Sequence, residues 1–198
     1  MDMAAAQAGS TQVVGSYIAL VLIWAATPLA VVWSIRGTHP MRGLIGRYTF
    51  SVLLMLPLLK LLQQRFPVNR IALKSYAAGS MNLIGGQFFM YLAASYLSSS
   101  LIALMYGFAP LLAGVVGHSI LKTQKLKWFQ WLGMVIALIG LIVVFLGQQN
   151  SGFHLIGVGM MMVSLVSYVF SIFWVKLIFA PVPAMAQATG SIAASFLL

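Results

Sequence analysis

The feature that most constrains this chain is a series of apolar stretches separated by short polar gaps. The stretches cover residues 13–35, 44–62, 75–96, 98–121, 127–146 and 155–179, and a seventh opens near residue 184. A helix needs about 20 apolar residues to cross the hydrocarbon core of a bilayer. Because lipid offers no water to unpaired backbone groups, each stretch must be helical. The sequence therefore predicts an all-α integral membrane protein, folded as a multi-pass helix bundle.

Composition independently excludes a water-soluble fold. Of the 198 residues, 62% are hydrophobic and only 6% are charged, which is too few ions to cover the exterior of a soluble domain. We expect the first stretch to be a membrane helix and not a cleavable signal, because residues 1–12 contain no Lys or Arg and the apolar run is too long. The absence of cysteine excludes disulfides and thiolate sites.

The cations predict the orientation of the chain. The formal charge is +10, and the cations lie in gaps between apolar stretches, which is typical of loops that face anionic head groups and not of a nucleic-acid-binding surface. With the N-terminus inside, three cations face outward: Arg36, Arg42 and Arg47. Eight face inward: Lys60, Arg65, Arg70, Lys74, Lys122, Lys125, Lys127 and Lys176. This bias predicts a cytoplasmic N-terminal tail over residues 1–12.

Several short motifs occur in a characteristic order across the first five stretches. They are Trp24-Ala25-Ala26-Thr27-Pro28, Arg47-Tyr48, the turn Ala93-Ala94-Ser95-Tyr96-Leu97-Ser98-Ser99-Ser100, Phe108-Ala109-Pro110-Leu111, and Gln124-Lys125-Leu126 followed by Gly133 and Gly140. In this order and spacing, the chain resembles the EamA-type exporters of the drug/metabolite transporter superfamily. It departs from the family pattern at Thr123-Gln124, where a Gly-Glu pair is usual.

The resemblance implies a specific architecture. Members have two inverted repeats of five helices, ten in all. Residues 13–146 would then form the first repeat, and residues 147–198 an incomplete second repeat with helix six and the start of helix seven. The resemblance also implies a bacterial inner-membrane exporter of small organic metabolites or drugs that uses a central cavity. Because residues 191–198 contain no charge and no helix cap, we expect the chain to be truncated.

Polar side chains within the apolar stretches are the candidates for substrate contact. Gln87, Tyr91 and Ser95 recur at i, i+4 and i+8, which predicts one polar face on helix three. Such a face should point into the bundle, where it either lines a cavity or forms hydrogen bonds between helices. We favour the cavity for Gln87 and Tyr91, and interhelical bonding for Asn82.

Helices one and four supply three further candidates. Tyr106 could stack on a substrate or simply pack in the core, and the resemblance favours substrate contact. Pro110 removes a backbone donor, which indicates either a hinge or a packing kink. Trp24 lies in the middle of its helix, away from the head groups, so a cavity wall and core packing are both open. The predicted substrate-binding residues are therefore Trp24, Gln87, Tyr91, Tyr106 and Pro110.

The remaining features favour no other class of site. Ser164, Tyr168 and Ser171 form a stripe that is more typical of close helix packing than of a site. Enzyme chemistry is not expected, because the only acidic residue, Asp2, lies in the tail. No cofactor and no metal are expected. The expected partners are a small-molecule substrate and the lipid bilayer, without nucleic acid, and a homodimer is left open. The alternatives are a non-transporting membrane scaffold subunit and an inactive truncated fragment.

Overall fold

The computed structural model describes residues 3–120, 126–147 and 154–196. Within these ranges the chain forms seven helices. They are α1 (Met3–Ser34), α2 (Pro40–Leu61), α3 (residues 70–93), α4 (residues 99–120), α5 (Trp128–Gly147), α6 (Leu155–Ile178) and α7 (Ala184–Ser195). The family departure at Thr123-Gln124 and most of the predicted turn after helix five lie outside the described residues.

The helices have the dimensions of membrane spans. By length and composition, four could cross a bilayer: Val13–Ser34 within α1, all of α2, Ser99–His118 within α4, and all of α6. A shorter apolar helix, Trp128–Val144, lies within α5. The predicted all-α, multi-pass membrane fold is confirmed.

Capping residues explain why two helices begin earlier than hydropathy predicts. α2 starts at Pro40, where proline suits the first helical position and the His39 Nδ1 accepts a hydrogen bond from the Met41 N–H at 3.3 Å. α3 starts at Arg70, because the Asn69 side chain accepts from the Ala72 N–H at 2.8 Å. The first turns of both helices contain polar residues, so the stretches predicted from hydropathy begin several residues after the helices do.

Two helices are interrupted in the middle. α3 consists of Arg70–Met81 and Phe88–Ala93, joined by a π turn over Asn82–Gln87. α4 is irregular at 107–108, one turn before Pro110. Because proline has no N–H to donate to the carbonyl four residues earlier, the regular hydrogen-bond pattern cannot continue through this point.

α3 lies at the centre of the packing and contacts α2, α6 and α7. Small residues permit the closest approaches. A Cβ atom at Gly85 would lie 2.6 Å from the Ser167 Oγ of α6. A Cβ atom at Gly190 of α7 would lie 2.5 Å from a ring carbon of Tyr76. Such glycine contacts are the usual means by which membrane helices pack tightly, since lipid provides no hydrophobic drive between them.

Candidate functional site

Three aromatic side chains from different helices meet in the middle of the bundle. Trp24 of α1 lies 6.4 Å from Tyr106 of α4 and 6.3 Å from Tyr168 of α6, measured between ring centroids. Tyr106 and Tyr168 are 6.2 Å apart. All three pairs meet edge to face, an arrangement that favours aromatic contacts beyond simple apolar burial. We call these three residues the aromatic cluster.

The aromatic cluster lines a cavity of about 680 Å³, which we call the main cavity. Its wall is mostly apolar and is formed by residues of α1, α2, α3, α4 and α6. The polar groups in the wall, apart from the two tyrosines, are Thr27, Arg47, Asn82 and Gln87. A concave, mainly apolar surface with a few polar groups is typical of small-molecule sites, and the volume lies within their usual range.

Four of the five predicted substrate-binding residues line this cavity: Trp24, Gln87, Tyr106 and Pro110. Tyr91 lies elsewhere. Its side chain is 2% exposed, and its ring would be 3.3 Å from a Cβ atom built on Gly43 of α2. Although Tyr91 is one turn after Gln87 on the same side of α3, it lies in the α2–α3 contact and not in the cavity wall.

The π turn of α3 is held by side chains from both neighbouring helices. The Ser164 hydroxyl of α6 donates to the Gly86 carbonyl at 2.6 Å, and the Tyr48 hydroxyl of α2 donates to the Leu83 carbonyl at 3.0 Å. Ser164 also lies 3.3 Å from the Tyr106 hydroxyl. The serine therefore links the backbone of the π turn to the aromatic cluster.

Arg47 of α2 and Gln87 of α3 are hydrogen-bonded neighbours in the wall of the main cavity. A guanidinium N–H of Arg47 donates to the Gln87 side-chain oxygen at 3.3 Å. No carboxylate lies among the described residues from 3 onward, since the only acid of the sequence is Asp2. Arg47 was counted among the cations of the outer side and falls within the predicted stretch 44–62. It lies seven residues inside α2 and lines the main cavity, a position that the sequence analysis did not assign to it.

Residues 13–146, about two thirds of the chain, match the EamA-like transporter family. The chain belongs to this family. The predicted resemblance is thereby confirmed, and membership identifies a multi-pass membrane transporter of small molecules, not an enzyme. No curated protein and no solved structure is significantly similar to the chain.

This EamA-like chain contains a second cavity, of about 380 Å³, between α3, α6 and α7. We call it the lower cavity. It lies toward the N-terminal half of α3, and the polar side chains in its wall are Asn82, Ser171, Gln187 and Ser191. Gln187 accepts from the Ser75 hydroxyl at 2.7 Å and donates to the Ser75 carbonyl at 2.9 Å and the Ser191 hydroxyl at 3.1 Å. Its amide is therefore well paired.

Asn82 and Ile172 line both cavities and form the partition between them. The Asn82 Oδ1 atom is buried and has no hydrogen-bond partner among the described residues. It sits directly over Gly86 in the π turn. An unpaired buried oxygen is costly, so an Asn at this position calls for a reason other than stability.

Sequence analysis did not identify Tyr168 of α6 and Asn82 of α3 as cavity residues, because the signals for both were ambiguous. Tyr168 belongs to the Ser164–Ser171 stripe, which was assigned to helix packing. Ser164 and Ser171 do form hydrogen bonds with the α3 backbone, and the Ser171 hydroxyl donates to the Ala78 carbonyl at 2.8 Å. Tyr168, which lies between them in the sequence, belongs instead to the aromatic cluster. Asn82 was assigned to interhelical bonding, and only its place between two cavities distinguishes it.

Proposed function

We propose that this protein exports small organic molecules across the bacterial inner membrane through the main cavity. The observation that carries the proposal is the convergence of Trp24, Tyr106 and Gln87 on one open space of about 680 Å³. A scaffold subunit would need no such space, because its polar residues could all be paired with neighbouring side chains. The lipid bilayer and the substrate are the partners that this function requires, while a homodimer stays a prediction.

The substrate path is proposed to run through both cavities. They adjoin at Asn82 and Ile172, the two residues in the described part of the chain that line both. With the N-terminus in the cytoplasm, α3 runs outward, so the lower cavity lies on the cytoplasmic side and the main cavity on the outer side. A substrate would enter the lower cavity, pass the partition, and be released from the main cavity.

The described contacts explain how the partition could open. A π turn contains one more residue per turn than an α-helix, and such turns occur frequently at functional sites. Here the turn carries Asn82 at one end and Gln87 at the other. A local change between π and α geometry would shift Asn82 relative to Ile172 without unfolding α3.

Release of compounds from lipid vesicles tests the proposal. Vesicles that contain the full chain are loaded with a defined mixture of aromatic and aliphatic metabolites, and release is followed by mass spectrometry. We expect faster release of at least one compound class than from empty vesicles. Trp24→Ala and Gln87→Ala should each remove most of that difference, because both residues line the cavity.

Trp33→Ala is the matched control. Trp33 lies on the same helix as Trp24 but near its end, is 57% exposed and does not line the cavity. This variant should release compounds at the wild-type rate. Release equal to that of empty vesicles would argue against transport, and wild-type release by both cavity variants would place the path elsewhere.

A further inference from the structure

Arg47 presents an uncompensated charge to the main cavity. Arg47 lies seven residues after the first residue of α2, about 10 Å along the helix at about 1.5 Å per residue. Its guanidinium donates to the Gln87 side-chain oxygen at 3.3 Å, which holds it against the wall of the main cavity. A cation inside the membrane is costly and is usually retained for function.

The hydrogen-bonding capacity of Arg47 is largely unused. A guanidinium has five N–H donors, and among the described residues its side chain makes one hydrogen bond, to neutral Gln87. Within residues 3–120, 126–147 and 154–196, no other Lys or Arg lines the main cavity, and no acidic residue does. The cavity therefore carries one positive charge that a bound molecule could neutralise.

From this arrangement we infer that the main cavity selects organic monoanions, in particular carboxylates, that carry a flat apolar body. The inference rests on the proposed function. A carboxylate can accept two parallel hydrogen bonds from a guanidinium, which is the geometry that Arg favours. The apolar body would lie against Trp24 and Tyr106 of the aromatic cluster. An organic cation would meet Arg47 with no anionic group to offset the repulsion.

The single cation also restricts the charge of the ligand. A phosphate monoester carries close to two negative charges at neutral pH, and one guanidinium would leave the second uncompensated in a mostly apolar cavity. Sites for such groups usually combine several cations or backbone N–H groups. A monocarboxylate matches the charge of the wall, and phosphorylated compounds do not.

Charged thiol reagents measure the potential in the cavity without a known substrate. The chain has no cysteine, so Ala103→Cys introduces a single thiol at an exposed position of the cavity wall. We compare the rates of modification by anionic sulfonatoethyl methanethiosulfonate and cationic trimethylammonioethyl methanethiosulfonate. Ala188→Cys, in the lower cavity, provides the reference ratio.

The anionic reagent should react at Ala103→Cys on the order of tenfold faster than the cationic one, relative to the same ratio at Ala188→Cys. The reason is that the charge of Arg47 acts inside a water-filled space with mostly apolar walls, which screen it less than bulk water would. Arg47→Gln should abolish this preference. Arg47→Lys should retain it, because the charge remains. Arg42→Gln is the matched control, since Arg42 lies five residues earlier on the same helix and does not line the cavity.

Protection of the same thiol tests recognition of the carboxylate itself. Phenylacetate should slow modification of Ala103→Cys at about one tenth the concentration of phenylacetamide, its neutral counterpart. Arg47→Gln should remove the difference between the two compounds. Arg47→Lys should reduce it, because an ammonium cannot supply the paired donors of a guanidinium.

The outcomes separate this inference from the proposed function. Rapid modification with no reagent preference, or equal protection by phenylacetate and phenylacetamide, would overturn the charge selection and leave a water-filled cavity intact. If neither reagent reacted at Ala103→Cys while both reacted at Ala188→Cys, the main cavity would be closed to water. That result would overturn the proposed transport path as well.

Discussion

Replacing Asn82 should raise stability while it impairs transport. The Asn82 Oδ1 is buried without a partner, and an unsatisfied buried acceptor costs about 1–3 kcal/mol. Leucine has a similar branched shape and no polar atom. Because the larger methyl groups must fit above Gly86, part of this gain is lost to tighter packing. We expect Asn82→Leu to increase the free energy of unfolding by about 1 kcal/mol.

The same substitution should lower compound release, because it replaces the amide between the two cavities by an apolar group of similar shape. Asn82→Ala separates the two effects. It removes the unpaired oxygen without adding bulk, so release should stay at or above the wild-type rate. The free energy of unfolding is measured by titration with sodium dodecyl sulfate in mixed micelles and followed by tryptophan fluorescence. Release is measured from vesicles.

Gln187→Leu is the matched control for stability. It also replaces a partly buried amide by leucine, but this amide makes three hydrogen bonds. At about 0.6 kcal/mol per bond inside a membrane, the loss should be about 2 kcal/mol. The change in the free energy of unfolding should therefore be positive for Asn82→Leu and negative for Gln187→Leu. A lower stability for Asn82→Leu, comparable to that of Gln187→Leu, would refute the argument that Asn82 is retained for function.

Two further predictions concern α6 and the orientation of the chain. Ser164→Ala and Ser171→Ala should each lower stability by about 1 kcal/mol, because each hydroxyl bonds an α3 carbonyl. Ser164→Ala should also slow compound release, since Ser164 contacts Tyr106 of the aromatic cluster. Release at the wild-type rate from Ser164→Ala vesicles would contradict a role for this contact. Single cysteines at Gln64 and Gln149 should react with impermeant reagents from opposite faces of the membrane, and labelling of both from outside would disprove a cytoplasmic N-terminus.

The helical membrane fold could be predicted from the sequence because hydropathy and backbone pairing in lipid leave one solution. The helix ends were predicted less well. His39 and Asn69 determine where α2 and α3 begin through local hydrogen bonds, and these lie in polar segments that an apolar window excludes. Hydropathy did not reveal the π turn at Asn82–Gln87, because it reports the polarity of a segment and not the spacing of its backbone hydrogen bonds.

The site could be predicted only in part, because periodicity shows which residues share a face but not what that face meets. Gln87 and Tyr91 were assigned to one face, yet Gln87 lines the main cavity while Tyr91 packs near Gly43 of α2. Tyr168 is the opposite case, because it was assigned to helix packing but lines the main cavity. Its neighbours Ser164 and Ser171 do bind the α3 backbone, but the tyrosine itself points to Trp24 and Tyr106. These differences depend on where the neighbouring helices lie.

The π turn of α3 accounts for several features of the site together. In an α-helix, residues five apart lie about 140° from each other around the axis, so Asn82 and Gln87 would not face the same cavity. With a π turn between them, both line the main cavity, and Asn82 also reaches the lower one. The turn also carries the Leu83 and Gly86 carbonyls that Tyr48 and Ser164 bind. One local departure from α-helical geometry therefore determines three features. It sets the proposed partition, places Gln87 beside Arg47, and attaches the aromatic cluster to α3.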